Sequence, residues 1–188
     1  FRRTYTDLAL PGALMDRAHE WLQGTEARWS EKNKTWTFPS GATLSFGYLE
    51  SENDKYRYQS AEFQFIGFDE LTQFTETQYR YLFSRLRRLE GSSIPLRMRS
   101  ASNPGGVGHE WVKQRFVVGD KPFVPASLDD NPYIDREEYV KSLMHLDPTT
   151  REQLLKGDWT AREAGNKFKR EWFEIVDSYP ADARMVRY

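Results

Sequence analysis

Phe63-Gln64-Phe65-Ile66-Gly67-Phe68-Asp69-Glu70 is an aromatic, β-prone run that stops abruptly in two adjacent carboxylates. A strand of this kind belongs inside a sheet, and its C-terminal end carries Asp69 and Glu70 to the edge where open α/β folds bind ligands. Successive strand residues point to opposite faces, so the two acids share one task only if the chain turns between them. One carboxylate can hold a Mg²⁺ ion while the next orients a water, the division of labour that ATP hydrolysis asks of a protein. The same residues also suit a buried strand ending in a helix-capping acid, and alone they do not separate the two readings.

The rest of the composition fits one soluble domain. The chain has 188 residues, 15% of them aromatic, enough to fill a core. Its net charge of −1 argues against a nucleic-acid coat or a membrane-surface protein, though not against a local basic patch. The absence of cysteine rules out disulfides and thiolate metal sites. No apolar run approaches the ~20 residues of a membrane helix, and no signal peptide is visible. The chain begins at Phe1 in mid-pattern, which reads as a segment of a longer protein.

Outward from the central strand, Pro11 opens a helix that ends near Gly24, with Leu14, Ala18, Trp21 and Leu22 on one face. Lys34 to Gly47 reads as a β-hairpin turning at Pro39-Ser40-Gly41, and Ser51 to Ser60 as an exposed polar loop. Thr75 with Gln78 is a capping box that opens a helix carrying Tyr79, Leu82, Phe83 and Leu86 and ending at Gly91. Ile94 to Ser102 reads as a second strand, broken by Asn103-Pro104-Gly105-Gly106, and His109 to Val117 as a short helix. Beyond a soft boundary near Asp120, a proline-rich loop leads to helices over Asp135–Leu146 and Pro148–Leu155, the latter closed by Gly157.

The second informative stretch is Arg99-Ser100-Ala101-Ser102-Asn103-Pro104-Gly105-Gly106. If its strand neighbours Phe63–Phe68, then Ser102 and Asn103 reach the same sheet edge as Asp69. Short polar side chains there can sense a phosphate, but these residues are equally those of an ordinary turn. The order of the pieces resembles the ATPase motor of the large terminase subunit of tailed bacteriophages and prophages. Phe65–Glu70 is similar to that family's Walker B motif plus catalytic carboxylate, and Ser100-Ala101-Ser102 to its coupling motif. Val124 to Pro132 and Leu154-Leu155-Lys156-Gly157-Asp158-Trp159 resemble two further family stretches, so the likeness covers nearly the whole chain.

The resemblance implies a partial three-layer α/β core of the P-loop NTPase (ASCE) type over residues 1–120. A mostly helical lid or linker over 121–188 would lead toward a nuclease domain. It implies Asp69 as the Mg²⁺ ligand, directly or through water, Glu70 as the residue that polarises the attacking water, and Ser100, Ala101, Ser102 and Asn103 as the coupling element. ATP is the implied substrate. The implied partners are double-stranded DNA, a portal protein, a small terminase subunit and further copies in a ring, in the host cytoplasm and without a membrane. Two departures qualify it. The chain contains no Gly-rich loop ending Gly-Lys-Ser/Thr, which supplies most phosphate binding in such motors, so the segment alone is expected to be inactive. A strand beginning near Met185 is expected to lead into the missing nuclease, and apolar surface beside Phe63–Phe68 is expected to be exposed. A helicase-like ATPase and a non-catalytic interaction domain are the alternatives.

Arg80, Arg85, Arg87, Arg88, Arg97 and Arg99 could touch DNA phosphates or supply an arginine finger, but a solvated helix face with pairs such as Glu76–Arg80 suits them better. The three histidines are too scattered for a zinc site. The six tryptophans read as core, and Glu50, Glu52 and Asp54 as solvated. Arg2 and Arg3, at the very start, offer no pattern to read.

Overall fold

The computed structural model describes residues 1–88 and 90–161. Trp172 and the strand expected near Met185 lie outside the described residues, as does the end of the segment over 121–188. The chain is mixed α/β. It opens with two helices, α1 (Tyr5–Ala9) and α2 (Leu14–Leu22), followed by β1 (Arg28–Ser30), β2 (Thr35–Thr37) and β3 (Thr43–Ser45). These three strands form an antiparallel sheet in the order β1-β2-β3. The expected hairpin is β2–β3, with Gly41 at φ +84° in its turn, and β1 adds a strand that the sequence pattern does not single out. The buried side of α2 carries Met15 and Ala18, with His19 stacked edge-on over Trp29 and Trp36. Trp21 belongs to the other side: it is 76% exposed, which corrects its placement on the core face.

The second sheet holds the central strand. β4 (Phe65–Asp69) pairs in parallel with β5 (Arg97–Ala101), with Phe68 opposite Ser100 and Asp69 opposite Ala101. On its other side β4 is flanked by Phe1. Phe1 N donates to Gly67 O at 2.6 Å, and Asp69 N donates to Phe1 O at 3.0 Å. Arg2 in turn bridges in parallel to Tyr48, through Arg2 N to Gly47 O and Leu49 N to Arg2 O. On the edge away from β5, β4 is thus held by Phe1 at Gly67 and Asp69.

Ile66 and Phe68 point to the covered face of β4 and meet α3 (Glu76–Phe83) through Tyr79 and Leu82. Leu49, Leu71, Phe74, Val112 and Trp159 complete that core. Phe68 packs on Phe74 at 4.9 Å and on Tyr79 at 5.7 Å between ring centroids. A fully buried aromatic of this kind contributes about 1.5–3 kcal/mol by removal from water. The opposite face carries Phe65, 58% exposed, beside exposed Arg97 and Arg99. Apolar surface is thus open along this strand, and among the described residues the sheet holds β4 and β5 alone.

The Thr75–Gln78 capping box opens α3 as expected, but α3 ends at Phe83, before Gly91, because Ser84–Leu86 continue as tight turns that return to Phe63. The segment expected as an exposed loop is a 3₁₀ turn over Glu52–Tyr58. There Asp54 is buried, accepting from Glu50 N and Ser51 N at 2.8 Å each and pairing with Arg57 at 3.0 Å. Asp54 is therefore a structural cap, not a solvated acid. After β5 comes the short helix α4 (His109–Val112). Two later helices, α5 (Arg136–Leu143) and α6 (Pro148–Lys156), follow the expected caps, and Gly157 closes α6 with φ +60°.

Candidate functional site

The site forms where β4 and β5 end together. Asp69 is the last residue of β4, and the backbone turns sharply at Glu70, which takes the left-handed conformation with φ 52° and ψ 57°. For a residue with a Cβ this is an uncommon geometry, typical of functional turns. It answers the alternation argument: the turn stops the second acid from pointing away, and both carboxylates face one guanidinium. Arg2 Nη1 donates to Asp69 Oδ2 at 3.1 Å and stands 4.0 Å from Glu70 Oε1.

Burial, and secondly the Asp69 charge, push the Glu70 carboxyl above its ordinary value. Arg2 and an N–H from the Asn103 backbone oppose that shift. The last of these contacts already ties Glu70 to the turn after β5.

That turn is anchored through Thr72, two residues beyond Glu70. Ser102 Oγ accepts from Thr72 N at 3.0 Å and lies 2.9 Å from Thr72 Oγ1, while Thr72 Oγ1 donates to Asn103 O at 3.1 Å. Gly106 follows at φ +74°, and a Cβ there would lie 2.8 Å from Thr72 O, so the backbone packs against the first strand's turn with no room for a side chain. Gly108 N donates to that same carbonyl at 2.7 Å. His109, which opens α4, accepts from Gly105 N through Nδ1 at 2.9 Å. Its Nε2 lies 3.2 Å from Trp159 O, which requires the neutral ring with its proton on Nε2. Through His109 the turn after β5 touches the segment beyond α6, and Trp159 joins the core cluster.

Of the residues singled out in the sequence, Asp69, Glu70, Ser102 and Asn103 come together. Ser100 and Ala101 lie in β5 beside Phe68 and Asp69, as strand residues of the same pairing. The arginines of the α3 region stand apart from this site: Arg80 pairs with Glu76, Arg87 with Glu62, and Arg85 donates to Gln59 O. Arg2 and Thr72 complete the site, and neither is among the residues that the sequence pattern marks. Thr72 carries a weak signal, a hydroxyl two residues beyond paired acids. Arg2 carries none, because its partner is 67 residues away.

Two carboxylates do not make a metal cage, and among the described residues no group of three His, Cys, Asp or Glu could hold an ion. A pair does fit a Mg²⁺ ion that draws its other ligands from water and substrate phosphates.

This mixed α/β arrangement, with its parallel strand pair ending in the acid–hydroxyl cluster, shares its fold with part of a phage large terminase. It is similar to the solved structure of the large terminase from a thermophilic bacteriophage, with a TM-score of 0.59 and 18% sequence identity. That similarity covers 84% of this chain and 40% of the thermophilic phage's chain. No curated protein matches the sequence. Residues 18–175 match the terminase large subunit family, T4likevirus-type, N-terminal, and the chain belongs to that family.

Proposed function

We propose that this chain is part of the ATP-hydrolysing motor of a viral terminase that moves double-stranded DNA into a procapsid. The observation that carries the reading is the convergence of Asp69 and Glu70 with Ser102 and Asn103 at the end of one parallel strand pair. Family membership supports it independently. In this reading β4 and β5 belong to a three-layer P-loop NTPase-like core within residues 1–120, and residues 121–188 form the lid or linker. A Mg²⁺ ion held by Asp69, directly or through water, would neutralise charge on the ATP phosphates. Glu70, its basicity raised by burial and by Asp69, accepts hydrogen bonding from the attacking water and orients it. Ser102 and Asn103, bonded to Thr72 and Glu70, carry the change at the site into the turn that meets His109.

The partners follow from the same reading: DNA, a portal protein, a small terminase subunit and further copies of the motor in a ring, in the host cytoplasm. Among the described residues no helix is long and apolar enough to cross a membrane. Because the 188 residues contain no Gly-Lys-Ser/Thr loop, the chain alone should not turn over ATP.

The test is DNA-stimulated ATPase activity of the full-length protein, wild type against Glu70→Gln. Turnover should fall by about 10²–10⁴-fold, the range for loss of a general base, with Mg-ATP binding retained. Unchanged turnover would remove Glu70 from the chemistry. A parent protein inert with DNA and partners supplied would favour a non-catalytic domain instead.

A further inference from the structure

We infer that Arg2 is a positioning residue for the carboxylate pair: its guanidinium holds Asp69 and Glu70 together and keeps them from capturing a bare divalent cation before nucleotide arrives. This rests on the reading of Asp69 and Glu70 given above.

Three features of the structure carry it. First, Arg2 is fixed by its own backbone, which bonds to Gly47 O at 3.2 Å and from Leu49 N at 3.3 Å, so the guanidinium is delivered by the sheet. Second, a single amino group, Nη1, faces both acids, at 3.1 and 4.0 Å, and the side chain is only 19% exposed. Two adjacent carboxylates in a partly dry site repel each other, and one guanidinium between them offsets that repulsion and holds them close. Third, Arg2 Nε is buried and makes no hydrogen bond among the described residues. A guanidinium serving only to anchor the fold would be expected to use its donors fully.

The neighbouring residue supplies an internal contrast. Arg3, with the same charge, turns to the opposite side, where its Nη1 donates to Leu49 O at 3.0 Å and Gln78 Oε1 at 3.3 Å. Arg3 ties its segment to Leu49 and to α3. Of the two, Arg2 meets the acids. The charge that the pair would otherwise take from a cation is thus already provided, and it can be given up only when a phosphate-bound ion offers more ligands than the protein does.

The experiment measures Mn²⁺ binding without nucleotide, by loss of the free-ion electron paramagnetic resonance signal, in the full-length protein. Wild type is compared with Arg2→Gln, Arg2→Lys, Arg3→Gln and Glu70→Gln, each also assayed for kcat and KM. Arg2→Gln should bind Mn²⁺ about tenfold more tightly than wild type, while kcat falls about 10–100-fold, the range for residues that orient metal ligands, and KM for ATP barely moves. Arg2→Lys, which keeps the charge, should bind Mn²⁺ as weakly as wild type and recover part of kcat. Arg3→Gln should lower thermal stability and leave Mn²⁺ binding alone.

Unchanged Mn²⁺ affinity in Arg2→Gln overturns the inference. If that variant does not fold, tightened Mn²⁺ binding in Arg2→Lys overturns it equally. Glu70→Gln separates the two levels: wild-type turnover there sinks the catalytic reading itself. A dead Glu70→Gln beside a normal Arg2→Gln sinks only the role of Arg2.

Discussion

Thr72 and Ser102, 30 residues apart, share a 2.9 Å contact between their hydroxyl oxygens, and Ser102 Oγ also accepts the Thr72 backbone N–H at 3.0 Å. This is the joint between the turn that follows the two acids and the turn that follows β5. Thr72 is buried, so its N–H has no water to fall back on.

Ser102→Ala should therefore cost roughly 1–3 kcal/mol in denaturant unfolding, the penalty of leaving a buried donor unsatisfied. Thr72→Val removes a different part of the same cluster. Because the two side chains touch, the double variant should lose less than the sum of the single losses. Strict additivity would mean that the cluster is not one unit.

Gly106→Ala should destabilise far more than Gly41→Ala. Both glycines have positive φ, but a Cβ at Gly41 meets nothing within 4 Å, whereas at Gly106 it would press on Thr72 O. The left-handed backbone alone costs about 1–2 kcal/mol for an L-residue, which sets the expectation for Gly41. The excess at Gly106, read from the two melting curves, measures the close approach of the two turns. Equal losses would contradict that packing.

Glu70 opposes the fold when ionised. Its folded-state pKa lies above the ordinary value of 4.5, so its favourable contribution is fully present below about that pH and is lost as pH rises through the folded value. Glu70→Gln should consequently melt higher than wild type at pH 7, with the gap closing as pH falls toward 4.5. Such a cost is the expected trade for the water-orienting role proposed for Glu70. A variant that melts lower than wild type at pH 7 would show the opposite balance.

Asp54 should behave with the reverse sign. Hydrogen bonding from the Ser51 backbone, foremost, holds its carboxyl below the ordinary 3.8, so its contribution is present above that pH and lost as pH falls through the folded value. Asp54→Asn should lower the melting temperature at pH 7 and converge with wild type in strong acid. Thermal melts from pH 2 to 8 check both residues at once.

Local signals in the sequence account for much of what is seen. The Thr75–Gln78 capping box, Asp135 and Asp147 before their helices, Pro148 in the first turn of α6 and Gly157 at its end act within a few residues, and each lies where its chemistry places it. The strand carrying Phe68 and Asp69 and the strand carrying Ser100 and Ala101 are also readable, and their expected adjacency is the pairing observed. What escapes depends on distant partners. Trp21 has the helical spacing of a core residue, but the side of α2 that is buried is chosen by Trp29 and Trp36, residues of another element. Asp54 escapes although Ser51-x-x-Asp54 has capping spacing, because a run of charges suggests solvent. Glu70 is legible as a carboxylate but not as a left-handed turn, since nothing in its side chain demands that backbone.

The seat of Phe1 beside β4, and of the Arg2 side chain against Asp69, has a kinetic side. Their partners in β4 lie 66 and 67 residues further along, so this edge closes one of the longest loops in the molecule. At ribosomal speeds of about 5–20 residues per second, Arg2 is made roughly 3–13 s before Asp69 exists to meet it. Pairings of such span form late, after local helices and hairpins, and they slow folding. Arg2 thus waits, already made, for the acids it will meet, and by this span the site is expected to assemble late in folding.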